Sequence, residues 1–124
     1  MYTDADLVKD IVTRHWVTSV VHEYNSAAFA WKIQKQGGVT HHTNGLEIRA
    51  CFTGIKRTKI FRRFLESMGR PIKGPTPAYE DNNADTQQIH ADKLTSSVKH
   101  TNIMMSWLHE QHVIGTYVAI YCNT

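Results

Sequence analysis

A chain of 124 residues, 41% of them hydrophobic, is the size of one compact domain and has apolar residues enough for one core, which excludes wholesale disorder. No apolar run approaches the ~20 residues that cross a membrane. The polar, acidic opening Met1-Tyr2-Thr3-Asp4-Ala5-Asp6 excludes a signal or transit peptide, so the cytosol or nucleus is the default location. A net charge of +3 permits a polyanionic partner without requiring one, and two distant cysteines, Cys51 and Cys122, make neither a disulfide framework nor a zinc site.

Met1 to Asp4 has the character of a strand end whose beginning is missing, with Asp4 closing it, because a strand usually has about five or six residues. His15 to Tyr24, with Val17, Val20 and Val21 among β-favouring Thr and Trp, predicts a second strand. Asn25-Ser26 is a turn signal. Ala27 to Gln36 then alternates, with Phe29, Trp31 and Ile33 on one face and Ala28, Ala30 and Lys32 on the other, and Gly37-Gly38 closes it. The two segments predict a hairpin. Trp16, Trp31 and Trp107 are expected in the core.

A long helix follows. Ile48, Cys51, Phe52, Ile55, Phe61, Phe64, Leu65 and Met68 recur at helical spacing, with Asn44 as N-cap, Glu47 in the first turn, and Gly69 and Pro71 marking the end. Gly54 weakens its middle by about 1 kcal/mol against Ala. Lys56, Arg57, Lys59, Arg62 and Arg63 lie within eight residues of its later half, where a solvated face is the ordinary role. After the loop Gly74-Pro75-Thr76-Pro77, Ala78-Tyr79-Glu80 predicts a short strand. Asp81-Asn82-Asn83 ends it and opens a helix through Ile89. Asp92 to Ser97 is a polar loop. Ile103, Met104, Trp107, Leu108 and Ile114 predict a further helix, stopped by Gly115, and Thr116 to Tyr121 a last strand. A hairpin followed by helices that cross between strands implies an α/β fold, a mixed sheet with helices packed on it.

Three acids stand at element ends: Asp4, Glu47 and Asp81. In an open α/β sheet, sites form where strands end and helices begin. If the first and fourth strands are neighbours, Asp4 and Asp81 converge and Glu47 reaches them from the crossing helix. A carboxylate cluster suits hard divalent cations, and two such ions can hydrolyse a phosphodiester. Helix capping is the commoner use of an Asp at a strand end.

Five segments, in order, resemble motifs of one family. Tyr2-Thr3-Asp4-Ala5-Asp6, Phe29-Ala30-Trp31-Lys32-Ile33-Gln34-Lys35-Gln36, Gly45-Leu46-Glu47-Ile48-Arg49-Ala50, Tyr79-Glu80-Asp81-Asn82 and Val98-Lys99-His100-Thr101-Asn102-Ile103 are similar to those of copia-type retroelement ribonuclease H domains. The resemblance implies a ribonuclease H-like mixed five-stranded sheet flanked by helices. It implies hydrolysis of the RNA strand of an RNA–DNA hybrid with two Mg²⁺ or Mn²⁺ ions held by four acids. Asp4, Glu47 and Asp81 carry over, Asp4 as the bridging ligand. The fourth acid belongs to a helix after the fifth strand, beyond Thr124. Asn102 stands where the family usually has Asp, but it precedes that strand. Val20-Val21 after Ser19 and Gly45 before the helix acid also depart from the family.

Residues 1–124 are therefore expected to be a ribonuclease H domain truncated at both ends, its C-terminal helix missing, from a retroelement polyprotein with a reverse transcriptase upstream. Such a domain would work in a cytoplasmic or nuclear particle. With three acids its activity should be feeble, and adding the missing helix should restore it. The alternative is a non-catalytic remnant that binds nucleic acid through its basic helix. Substrate contacts are expected from Asn82, Arg14, Lys99 and His100, while Asn83 caps a helix and Lys93 is solvated. His41-His42 and His109-x-x-His112 are expected at the surface.

Overall fold

The computed structural model describes residues 1–7, 16–35, 43–81, 87 and 99–122, and only the backbone course of 2–7, 16, 43–45 and 99–102. Arg14, Gly37-Gly38, His41-His42, Asn82, Asn83, His90, Lys93 and nearly all of the helix expected before Ile89 lie outside the described residues. The elements are β1 (Tyr2–Leu7), β2 (Trp16–Tyr24), β3 (Ala27–Lys35), α1 (Thr43–Ser67), β4 (Thr76–Glu80), α2 (Lys99–Val113) and β5 (Tyr117–Tyr121). The sheet order is β3-β2-β1-β4-β5. β1–β2 and β2–β3 are antiparallel, while β1–β4 and β4–β5 are parallel. The hairpin comes first in the chain because two residues suffice to join antiparallel strands, whereas each parallel neighbour needs a crossover.

Asn25 and Ser26 both have positive φ, 51° and 63°, as a two-residue hairpin turn matched to the strand twist requires. The expected alternation of β3 fails at one point. A register shift between His22 and Glu23 sets the single step of β2 against two residues of β3, from Ala28 to Ala30, so Phe29 is the extra residue of a bulge. Phe29 thus meets the α1 side of the sheet, its ring 4.9 Å from Phe61 and 6.3 Å from His22. Trp31 and Ile33 do not enter the core: they are 68% and 73% exposed, on a strand with no neighbour beyond it among the described residues.

α1 packs across β1 and β2, and α2 lies against α1 and β5. Ile48, Cys51 and Ile55 from α1, Met105 and Leu108 from α2, and Met1, Val20, Ala78, Tyr117 and Ala119 from the strands form one buried cluster. Phe52 and Trp107 pack edge to face beside it, ring centres 4.9 Å apart. The apolar stripe of α1 was expected to stay buried to Met68, but Phe64 and Met68 are more than half exposed. Length explains this. Twenty-five helical residues span about 37 Å, against about 20 Å for the six residues of β1, so the helix outruns the strand it covers. Asn44 lies inside the helix instead of capping it, and Glu47 is its fifth residue, past the first turn.

α2 meets the expected face only in part: Leu108 is buried and Met104 and Trp107 pack against the core. Ile103 and Ile114 are exposed, while Met105, Leu108 and Gln111 are buried. Both sets fit a helical period. Gln111 is tolerated inside because its Oε1 accepts a hydrogen bond from Thr116 Oγ1 at 3.0 Å. Each helix ends in the same way. Gly69 and Gly115 take positive φ, and the N–H groups of Arg70 and Thr116 reach back to the carbonyls of Leu65 and Gln111. These are Schellman caps.

Candidate active site

Asp4 is the third residue of β1 and pairs with Ser19 of β2. It lies within the strand, not at its end, because β1 continues to Leu7. β1 and β4 are neighbours, as convergence of the acids requires. Tyr2 stands beside Tyr79, and the Tyr79 N–H donates to the Met1 carbonyl at 2.8 Å. Asp4 and Asp81 each stand two residues past that pair, Asp4 within β1 and Asp81 just beyond β4. Asp81 is exposed and follows β4 directly.

Glu47 is half-buried in α1. Thr58 Oγ1 lies 3.3 Å from Met1 Sδ, so the start of β1 meets the later half of α1. From that contact, Asp4 is about 10 Å further along β1 and Glu47 about 16 Å back along α1. Asp4 stands within β1, Asp81 just past β4 and Glu47 on α1. They are the hard oxygen donors that Mg²⁺ and Mn²⁺ take. Among the described residues no group of three or more His, Cys, Asp or Glu could hold a metal ion; the Asp4 carboxylate lies outside that set.

No protein-family model and no curated protein matches the chain. A solved structure does: LC11-RNase H1, crystallised in complex with an RNA/DNA hybrid, superposes with a TM-score of 0.69 over 98% of this chain and 83% of its own, at 13% sequence identity. The fold is ribonuclease H-like. At that identity the likeness is one of architecture, and side-chain roles rest on the positions described above.

Next to Asp81 in this ribonuclease H-like sheet is Glu80, a 5% exposed carboxylate that sequence reasoning passed over. Its burial follows from strand alternation, since Ala78 and Glu80 face the core while Pro77 and Asp81 are exposed. On the neighbouring strand, Tyr117, paired with Thr76 at the start of β4, donates its hydroxyl to the Leu108 carbonyl at 3.0 Å. Burial pushes that hydroxyl far up from the ordinary phenol range, with the Cys51 thiol and the Glu80 carboxylate adding to it. Tyr117 is thus a fixed donor and not a proton carrier.

Lys99 and His100 open α2, and Asn102 is its fourth residue. The basic run of α1 is less uniform than a solvated face. Arg62 donates to Thr76 Oγ1 at 2.8 Å and to the Gly74 carbonyl at 3.0 Å, tying the loop before β4 to the helix. Lys56, Arg57 and Lys59 lie over the rings of Phe52, Phe61 and Trp107 at 5.0, 5.7 and 5.5 Å. Below Arg57, His22 Nε2 is 3.2 Å from the Gly54 carbonyl and 3.1 Å from Thr58 Oγ1. A carbonyl can only accept, so Nε2 carries the proton. Nδ1 has no hydrogen-bond partner among the described residues. Burial lowers the imidazole pKa to about 4, the Gly54 carbonyl opposing and Arg57 and the N-terminal ammonium reinforcing the shift, so this histidine is neutral at physiological pH.

Proposed function

We propose that this chain is a metal-dependent ribonuclease acting on RNA–DNA hybrids, the ribonuclease H domain of a copia-like retroelement polyprotein with a reverse transcriptase upstream. The observation that supports the reading is the parallel pairing of β1 with β4 at Tyr2 and Tyr79, each two residues before one of the acids. The five motifs in order and the ribonuclease H-like architecture support it.

On this reading Asp4, Glu47 and Asp81 would hold the cations, from β1, from α1 and from just past β4. Two Mg²⁺ or Mn²⁺ ions, when bound, supply an activated water and neutralise the leaving oxygen of the phosphodiester. The chain's own residues do the rest. The three carboxylates fix where the scissile phosphate sits. Asn82 hydrogen-bonds a 2′-hydroxyl, which distinguishes the RNA strand. Lys99, His100 and Arg14 contact phosphates along the duplex.

Cleavage of an end-labelled hybrid in Mg²⁺ and in Mn²⁺ tests this. Asp4→Asn and Asp81→Asn should each lower the rate by about a hundredfold or more at unchanged thermal stability. Asn102→Asp should restore nothing, because that residue stands on α2, ahead of β5. Full activity of Asp4→Asn would sink the metal reading. A second reading, a non-catalytic nucleic-acid binder, is favoured by the cations seated over rings along α1. Hybrid binding with no cleavage in either metal would select it.

A further inference from the structure

The outward side of α1 carries an apolar row that nothing among the described residues covers. Ile60, Phe64 and Met68 stand four residues apart, and each is more than half exposed. Met68 follows the last residue of α1, and its N–H still reaches the Phe64 carbonyl at 3.2 Å, so the row stays in helical register. It runs for about 12 Å. Phe64 and Met68 lie where the helix outruns β1. Ile60 is exposed by its direction, because it stands about 160° round the helix from Thr58, which meets Met1. α2 packs along a different flank, where Trp107 meets Phe52 and Lys59.

Cations edge this row on both sides. Lys56 and Arg63 fall within about 60° of Ile60 on one side and Arg57 within about 60° on the other. Lys56 and Arg63 are exposed and Arg57 is half-buried. No acid of α1 shares that side, since Glu66 stands about 160° round the helix from Phe64 and Glu47 about 140° from Ile60. Glu23 follows the buried His22 in β2, so strand alternation turns it to the sheet face away from α1. Glu110 is exposed on α2, and among the described residues neither it nor Glu23 pairs with Lys56, Arg57 or Arg63.

Side chains at i, i+4 and i+8 form the ridge with which one helix packs between the ridges of another. Acids beside the partner's own apolar row would then stand over Lys56, Arg57 and Arg63, as charges flank the seam of a coiled coil. A second copy of this chain is disfavoured there, because it would set cations against cations. A nucleic acid would take up the cations and leave three apolar side chains in water. A lipid surface calls for a broader apolar face than a row one side chain wide. We propose that the outward face of α1 docks an acidic amphipathic helix of a partner protein, with Ile60, Phe64 and Met68 in the apolar seam and Lys56, Arg57 and Arg63 against its carboxylates. The face contains none of Asp4, Glu47 and Asp81, so this proposal and the nuclease reading fail separately.

Fluorescence anisotropy of a labelled synthetic peptide, with leucines at helical spacing and glutamates beside them, tests it on the full chain. Ile60→Ser and Phe64→Ser should each weaken binding about fivefold or more. Arg63→Glu should do the same and should transfer binding to a peptide with lysine in place of glutamate. All three positions are exposed, so the variants keep the fold, which thermal melting checks. Vesicles of phosphatidylserine with phosphatidylcholine, and a plain DNA duplex, are the rival probes. Absence of saturable peptide binding by the natural chain would overturn the proposal. So would losses confined to Arg63→Glu, which charge attraction alone gives, or vesicle or duplex binding that is tighter than peptide binding and falls in Phe64→Ser.

Discussion

His22 shows how one side chain links sheet, helix and solution conditions. Its Nε2 is bound to α1, its Nδ1 is buried without a partner among the described residues, and its ring lies near those of Phe29 and Phe61. The folded-state pKa of about 4 lies below the ordinary 6.5, so between those values the unfolded chain takes up the extra proton. The stability contributed by neutral His22 is whole above pH 6.5 and drains away as the pH falls toward 4. Urea midpoints measured at neutral and mildly acid pH should drop more for the natural chain than for His22→Gln, which cannot take up that proton. Equal drops would mean that other groups cause the acid sensitivity. Nothing in the sequence marked His22. Its role depends on Gly54 and Thr58, residues more than thirty positions away, and on the bulge beside it. Asp4, Glu47 and Asp81 stood out through a motif series and apparent element ends, which are local signals, but Asp4 lies inside β1 and Glu47 past the first turn of α1.

Elements were legible where the backbone itself is punctuated. Asn25-Ser26, Gly69 and Gly115 each mark an end that the coordinates share, and each occupies the left-handed region. A Cβ at Gly115 would meet nothing within 4 Å, so Gly115→Ala tests backbone conformation alone. It should cost about 1 kcal/mol, read from a denaturant titration at constant slope. The hairpin offers the converse experiment. Ser26 holds φ 63° at a position where glycine is unstrained, so Ser26→Gly should raise stability by up to about 1 kcal/mol. Faces were less legible than ends. Two apolar stripes compete on α2, and only docking against α1 and β5 selects Met105 and Leu108 over Ile103 and Ile114. On β3 a single inserted residue reverses the expected partnership of Phe29 with Trp31 and Ile33. Periodicity carries no information about a bulge or about how far a helix extends past its sheet.

At the scale of the molecule, β1 is the hub. It joins the antiparallel hairpin on one edge and the parallel pair β4–β5 on the other, and α1 crosses above it. Mixed architecture followed from the order of strands and helices in the chain, but which strand would be central did not. The Met1 ammonium donates to the Pro77 carbonyl at 3.0 Å, across 76 positions of sequence. That separation sets an order of events during synthesis. β2 and β3 can close on β1 as soon as Lys35 has left the ribosome, whereas the other edge of β1 has no partner until residues 76–80 emerge. For that interval the nascent sheet presents a bare row of amides and carbonyls, the kind of edge that recruits other chains. Ribosome-stalled chains ending before residue 76 should accordingly aggregate or hold chaperones more than chains released at full length, as sedimentation of the two would show. Slow translation of the segment between α1 and β4 should lower the soluble yield in proportion.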